Sequence, residues 1–373
     1  MIISNKSKTK VNLKDSTRLQ KEKIPSASRI SKIWRIGRFP ISIVLGLLAL
    51  YVVAGRTDEL SAVGSYLDRV NWFWIGPGVV FEMASMIAFA KIQGSLARSS
   101  GTPVKLSALL GITFAGNSIT NSLPAGPAFA SFFAFRQYKR VGVDATLASW
   151  VLFGLLLASS ITLAGLAFVG LIVAIATGSG SFGVANTIVI SLLVISAIGG
   201  SAILLLRKRH IIEKASLKTL KISQAIFHWP HYDARDKVNE IAIRLHQAIP
   251  SRHEAVVALS WSLMNWLLDM TCLVVSFWAV GVGVPWSGLL LAYGAGQLAA
   301  NLPVTPGGLG VVEGSLEVAL VAFGGNQTST VAVILLYRLI IFWLLLPIGW
   351  VWWLAIHRQD AKQRKSILSY VQT

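Results

Sequence analysis

Two long apolar stretches of this chain break at the same kind of place, a Pro-x-x-Pro pair. The first runs Gly116-Asn117-Ser118-Ile119-Thr120-Asn121-Ser122-Leu123-Pro124-Ala125-Gly126-Pro127. The second runs Gly296-Gln297-Leu298-Ala299-Ala300-Asn301-Leu302-Pro303-Val304-Thr305-Pro306-Gly307-Gly308, and the leading prolines lie 179 residues apart in a chain of 373. Proline removes a backbone donor and pushes the preceding residue out of helical geometry. In hydrocarbon such a break persists only where protein or a watery cavity covers it. Interrupted apolar segments at matching positions of two halves point to a transport site.

Composition limits the alternatives. The chain is 54% hydrophobic and 13% charged, with a mean hydropathy of +0.63. That charged fraction is about half the usual one for a soluble domain. Several apolar runs approach or exceed the ~20 residues that cross a bilayer as helix. The length suits one integral membrane domain of six to eight spans.

The net charge of +18 is spread in a way that argues against nucleic acid. Residues 1–38 carry eleven Lys/Arg against two acids, and 207–254 carry ten against five. These runs flank apolar spans, so the positive-inside rule accounts for them. The single cysteine, Cys272, excludes an intramolecular disulfide and a cysteine metal cluster. The N-terminus lacks a cleavage pattern, which favours an uncleaved first span. No nucleotide fingerprint or nucleophile elbow is present, so neither a cofactor nor a metal is expected.

Placing basic segments on one face gives spans near 39–55, 71–90, 146–176, 184–206, 256–280 and 331–356. Lys91, Arg98 and Lys105 then mark an inner loop. The broken segments, 106–135 and 286–323, become re-entrant hairpins, one opening from each side. The expected fold is thus all-α and polytopic, with six full spans plus two re-entrant helical hairpins arranged as inverted repeats. A basic N-terminal segment (1–38), the membrane domain (39–356, with a loop at 207–255) and a basic tail (357–373) follow from this layout. Both termini are expected on the cytoplasmic side of an inner or plasma membrane. Eight ordinary kinked spans are the plainer alternative.

Ionisable residues inside apolar segments are costly unless paired or hydrated. Glu82 and Asp269 lie within spans, with Asn265 one turn before Asp269. Each acid either bonds between helices or takes part in coupling. Arg338 lies in the final span, and Glu313 and Glu317 follow the second break. A turn at Val304–Leu309 followed by a helix start offers backbone N–H groups to an anionic headgroup. Gly307, Gly308 and Gly310 let backbone approach a ligand there, and Pro306, with Pro124 and Gly126 of the first break, is counted among the translocation residues. Arg338 either binds such a group or neutralises Glu313. Asn117, Asn121 and Asn301 either cap the half-helices or touch ligand. Arg136 either anchors the interface or meets lipid phosphates, and Glu317 is read as facing a polar crevice. The histidines lack partners at metal-ligand spacing.

The stretch Asn301-Leu302-Pro303-Val304-Thr305-Pro306-Gly307-Gly308-Leu309-Gly310-Val311-Val312-Glu313 resembles the signature of the lysylphosphatidylglycerol synthase transmembrane, or flippase-like, domain family. Arg338, in Leu336-Tyr337-Arg338-Leu339-Ile340, falls where that family carries an arginine. The likeness covers about residues 40–356. In the first half Arg136 fits the family pattern. Pro124-Ala125-Gly126-Pro127-Ala128-Phe129 lacks the usual glutamate, and Trp150-Val151-Leu152-Phe153-Gly154 lacks an Arg/Asp pair. The resemblance implies movement of lipids between leaflets, with membrane lipids as partners and lipid-biosynthesis proteins as candidate ones. The family's aminoacyl transfer belongs to a following soluble domain, which the seventeen residues after Ile356 have no room for. The expected function is translocation of a lipid with an anionic or phosphorylated headgroup. A proton-coupled carrier of a small soluble solute is the alternative, ahead of a membrane transferase, and oligomeric state is left open.

Overall fold

The computed structural model describes Tyr66, residues 68–99, 101–178, 251–300 and 305–372, the last fourteen as backbone. All of these belong to one compact unit, Leu48–Thr373. The spans expected at 39–55 and 184–206, residues 1–38, nearly all of the 207–255 loop, and Asn301 to Val304 lie outside the described residues.

Every regular element among the described residues is helical. In chain order these are α1 (Ile75–Ser99), α2 (Leu106–Ser122), α3 (Gly126–Arg140), α4 (Ala145–Ala176) and α5 (Arg252–Val280). They are followed by α6 (Leu289–Ala300), α7 (Val311–Ala322), α8 (Gln327–Arg338) and α9 (Leu345–Gln372). Short 3₁₀ turns occupy Trp72–Trp74 and Pro306–Gly308, and a π-helical turn, Leu339–Leu344, joins α8 to α9. Among the described residues four stretches are long and apolar enough to cross a membrane: Trp72–Ser99, Ala145–Ala176, Arg252–Val280 and Gln327–Arg358. The chain is a multi-pass membrane protein.

One boundary differs from expectation. The second span does not end near residue 90, because α1 continues to Ser99. Lys91 and Arg98 are therefore helical and not part of a loop. Lys91 places its ammonium 4.3 Å from the centre of the Trp261 ring, and Arg98 donates to the Gly94 carbonyl. An aromatic face and an i−4 carbonyl thus satisfy cations that charge patterning assigns to a loop.

Helices α1 and α5 form the most extensive pairing, and α4 packs against both. Asn265 Nδ2 donates to Ser85 Oγ at 2.6 Å, tying α5 to α1 within the buried seam. Glu82 lies one turn from Ser85, and Asp269 one turn from Asn265, so the acids form the next rung of the same ladder.

The first break is a tight tip. Helix α2 ends at Ser122, Ala125 takes a left-handed conformation (φ 53°), and α3 starts at Gly126 with Pro127 in its first turn. A Cβ on Gly126 would fall 2.0 Å from the Thr120 carbonyl oxygen, so only glycine fits. Gly126→Ala is expected to cost about 1–3 kcal/mol through overpacking. A thermal unfolding series in detergent checks this, and an unchanged midpoint would show that the tip opens freely.

Both legs of this pair are held by α1. Gln93 Nε2 donates to Thr113 Oγ1 of α2 at 2.8 Å, while Tyr138 of α3 donates its hydroxyl to Gln93 Oε1 at 2.5 Å. Helix α9 covers the other side of α2. There Ser118 Oγ donates to the Leu346 carbonyl at 2.8 Å, and Phe114 stacks on Trp352. The second pair, α6 and α7, packs leg to leg, with α6 on α4 and α7 on α8.

Candidate functional site

The second break places Pro306, Gly307 and Gly308 in a 3₁₀ turn that ends at Leu309, held by a bond from Thr305 Oγ1 to the Leu309 carbonyl. Gly307 has φ 58°, and a Cβ there would fall 2.3 Å from the Phe342 ring and 3.1 Å from Asn121 Oδ1. That contact carries most of the arrangement's meaning: the end of α2, from the first broken segment, meets the turn of the second. Asn121 does not cap its half-helix. Its Nδ2 donates back one turn to Asn117 Oδ1 at 3.0 Å, leaving its Oδ1 toward Gly307.

Arg338 ties this junction together. It is buried, with a side chain 7% exposed, and its Nε donates to Glu313 Oε1 at 2.5 Å. A terminal guanidinium nitrogen donates to the Gly307 carbonyl at 2.9 Å, and the guanidinium lies 4.8 Å from the Phe342 ring centre. The second carboxylate oxygen of Glu313 accepts the Gly310 N–H at 2.7 Å. The helix start expected to offer N–H groups to an anion is thus partly filled by the chain's own carboxylate, in a capping arrangement. Neutralisation of Glu313 is the role Arg338 takes here. The fork of a guanidinium suits a carboxylate or a phosphate equally.

A second cluster lies beside the first. Asp269 is buried and accepts three side-chain bonds: Tyr293 O–H at 2.6 Å, Gln297 Nε2 at 3.0 Å and Tyr337 O–H at 2.8 Å. Tyr293 and Gln297 sit one turn apart on α6, and Tyr337 immediately precedes Arg338. The Glu82 carboxyl, 2% exposed, lies beside Asp269, each acid one turn from the Ser85–Asn265 bond that joins α1 to α5.

Arg136 and Glu317 lie outside both clusters. Arg136 is exposed, with its guanidinium 5.8 Å from the Phe132 ring on its own helix, and takes no part in the Arg338 junction. Glu317 accepts from Gln327 at the α7–α8 connection. Pro124 and Gly126 shape the tip of the first break, and Asn301 lies outside the described residues. Tyr293, Gln297 and Tyr337 are absent from the sequence expectation. The signal for the first two is a polar pair at i and i+4 in an otherwise apolar helix. Among the described residues no group of three or more His, Cys, Asp or Glu side chains is placed to hold a metal.

A sequence model described as the lysylphosphatidylglycerol synthase TM region matches residues 40–349, including both breaks and Arg338. The chain belongs to this family. Within the lysylphosphatidylglycerol synthase TM-region family, two curated relatives from Methanothermobacter thermautotrophicus share local similarity, each described as a UPF0104 membrane protein. One is 44% identical over 78 residues, which is 21% of this chain and 22% of the relative. The other is 31% identical over 88 residues, 24% of this chain and 26% of the relative. The chain thus aligns with about a quarter of the length of these relatives.

Proposed function

We propose that this protein moves a lipid with an anionic or phosphorylated headgroup between membrane leaflets. The observation that carries the reading is Arg338, a buried guanidinium held by Glu313 and the Gly307 carbonyl where the two broken segments meet. An arginine at that depth is expensive unless paired, and intramembrane charges of this kind mark pathways. A headgroup phosphate can replace the Glu313 carboxylate in the same fork, since both present two oxygens to a planar donor. The ligand then trades one charge-assisted pairing for another of similar strength. That exchange lets a charged group enter without leaving a bare cation behind.

In this reading the two pairs, α2–α3 and α6–α7, are re-entrant hairpins of inverted repeats, entering from opposite faces. Support comes from their shared plan: each is a helix, a proline-glycine turn and a second helix, and the end of α2 meets the turn of the second. Irregular backbone at membrane depth lines a cavity or is buried in protein. The lipid tails would stay in the bilayer while the headgroup passes Asn121, Gly307 and Arg338. The first pair lacks a charged counterpart of Glu313, which makes the second pair the selective one. The basic termini fit a cytoplasmic location at a cell membrane.

The test is leaflet-to-leaflet movement in proteoliposomes holding the full chain. Labelled phosphatidylglycerol, aminoacylated phosphatidylglycerol and polyprenyl-phosphate sugars are compared. Movement of one headgroup class, abolished by Glu313→Gln in folded protein, is expected. Movement of none, with uptake of a water-soluble solute instead, would overturn the reading.

A further inference from the structure

The Asp269 cluster holds one polar atom without a partner. Glu82 Oε2 is buried and forms no hydrogen bond, although Glu82 sits against a second carboxyl. The three donors around Asp269 (Tyr293, Gln297 and Tyr337) all bond its own two oxygens. The remaining neighbours among the described residues offer Glu82 little. Cys272 lies one turn along α5 from Asp269, Arg338 is bonded to Glu313 and Gly307, and Ser85 bonds Asn265. Two carboxylate charges side by side repel, and burial penalises each of them. One added proton removes a charge and supplies the donor that a carboxyl–carboxyl contact needs.

We infer that Glu82 and Asp269 together form a proton-binding site, seated between α1 and α5 and wired to the second broken segment. The proton forms an O–H bond on Glu82 and is donated to Asp269, which stays ionised and keeps its three acceptor bonds. Release leaves two charges in contact. The Asp269 bonds reach α6 through Tyr293 and Gln297, and α8 through Tyr337, the residue beside Arg338. A second negative charge there draws the guanidinium toward Asp269 and loosens its hold on Glu313 and Gly307. Occupancy by the proton therefore sets whether the junction of the two breaks is clamped. As a coupling device this rests on the translocation reading, but as a proton site it does not.

The ligand is a proton and not a metal cation. Three of the neighbouring groups are donors already aimed at Asp269, whereas a hard cation needs a shell of oxygens.

Infrared spectroscopy of the full chain in lipid nanodiscs at neutral pH tests the site directly. The wild type is expected to show the carbonyl band of a buried protonated carboxylic acid. Glu82→Gln should lose the band while keeping wild-type thermal stability, because the amide donates to Asp269 as the acid does. Asp269→Asn should shift or lose it, and Glu313→Gln should keep it. In proteoliposomes an imposed pH gradient should change the wild-type rate of lipid movement and leave any residual Glu82→Gln rate unchanged. Absence of the band in the wild type, its survival in Glu82→Gln, or stabilisation by sodium over choline that Glu82→Gln abolishes would each overturn the proton site. If no lipid moves but the band follows Glu82, the translocation reading falls and the proton site stands. If lipid moves and the band is missing, the reverse holds.

Discussion

Arg338→Ala is expected to cost about 3 kcal/mol of stability, the low end of the loss when one partner of a buried ion pair is removed, because the remaining Glu313 side chain is 23% exposed. The effect arises on Glu313. Its Oε1 loses a cation 2.5 Å away, and the Gly307 carbonyl at the turn loses its donor in the same change. Reversible unfolding in mixed micelles measures the difference. The double variant Arg338→Met with Glu313→Gln removes both charges and should recover most of the stability, as buried pairs replaced by neutral groups commonly do. Lipid movement should stay absent in the double variant. Recovery of stability with movement restored would show that the pair serves only to hold the fold.

Asp269→Leu is expected to be comparably severe. It strands two phenolic hydroxyls and an amide that now share one acceptor group. Stranded buried donors cost about 1–3 kcal/mol each, so a total of ~4 kcal/mol is expected after local repacking. Asp269→Asn keeps an acceptor oxygen and should recover about half of that. A parallel set of unfolding midpoints for the two variants checks the ordering. Equal loss for leucine and asparagine would place the effect in packing and not in the hydrogen bonds.

Much of this arrangement was legible in the sequence. The helices flanking both breaks start and stop close to where the prolines and glycines require, because proline geometry acts locally and needs no tertiary context. The pairing of Arg338 with Glu313 was also readable, since a cation within an apolar span must find a partner and few acids were available. The end of α1 was not readable. Lys91 has the look of a loop residue until the Trp261 ring, far away in sequence, is brought beneath it. The cage around Asp269 was hidden for a similar reason. Its three donors come from two helices, and tyrosines in apolar segments are ordinarily interfacial. The choice between cap and ligand contact at Asn121 could not be made from sequence, because the turn its oxygen lies beside, at Gly307, belongs to the other half of the chain.

The π-helical turn at Leu339–Leu344 fixes a phase. Just before it, Arg338 is keyed to the second broken segment. Just after it, the Leu346 carbonyl receives Ser118 of the first. Pro347 has no N–H to offer the Trp343 carbonyl, which loosens the α-helical pattern at this point. One residue of slack in a helix corresponds to about 100° of rotation. A rod of unbroken α-helix with the same residues would point one of its two keys a quarter-turn or more away from its lock. The wide turn thus lets a single helix address both halves of the molecule at once, like a camshaft whose two lobes are set at the angle their followers need.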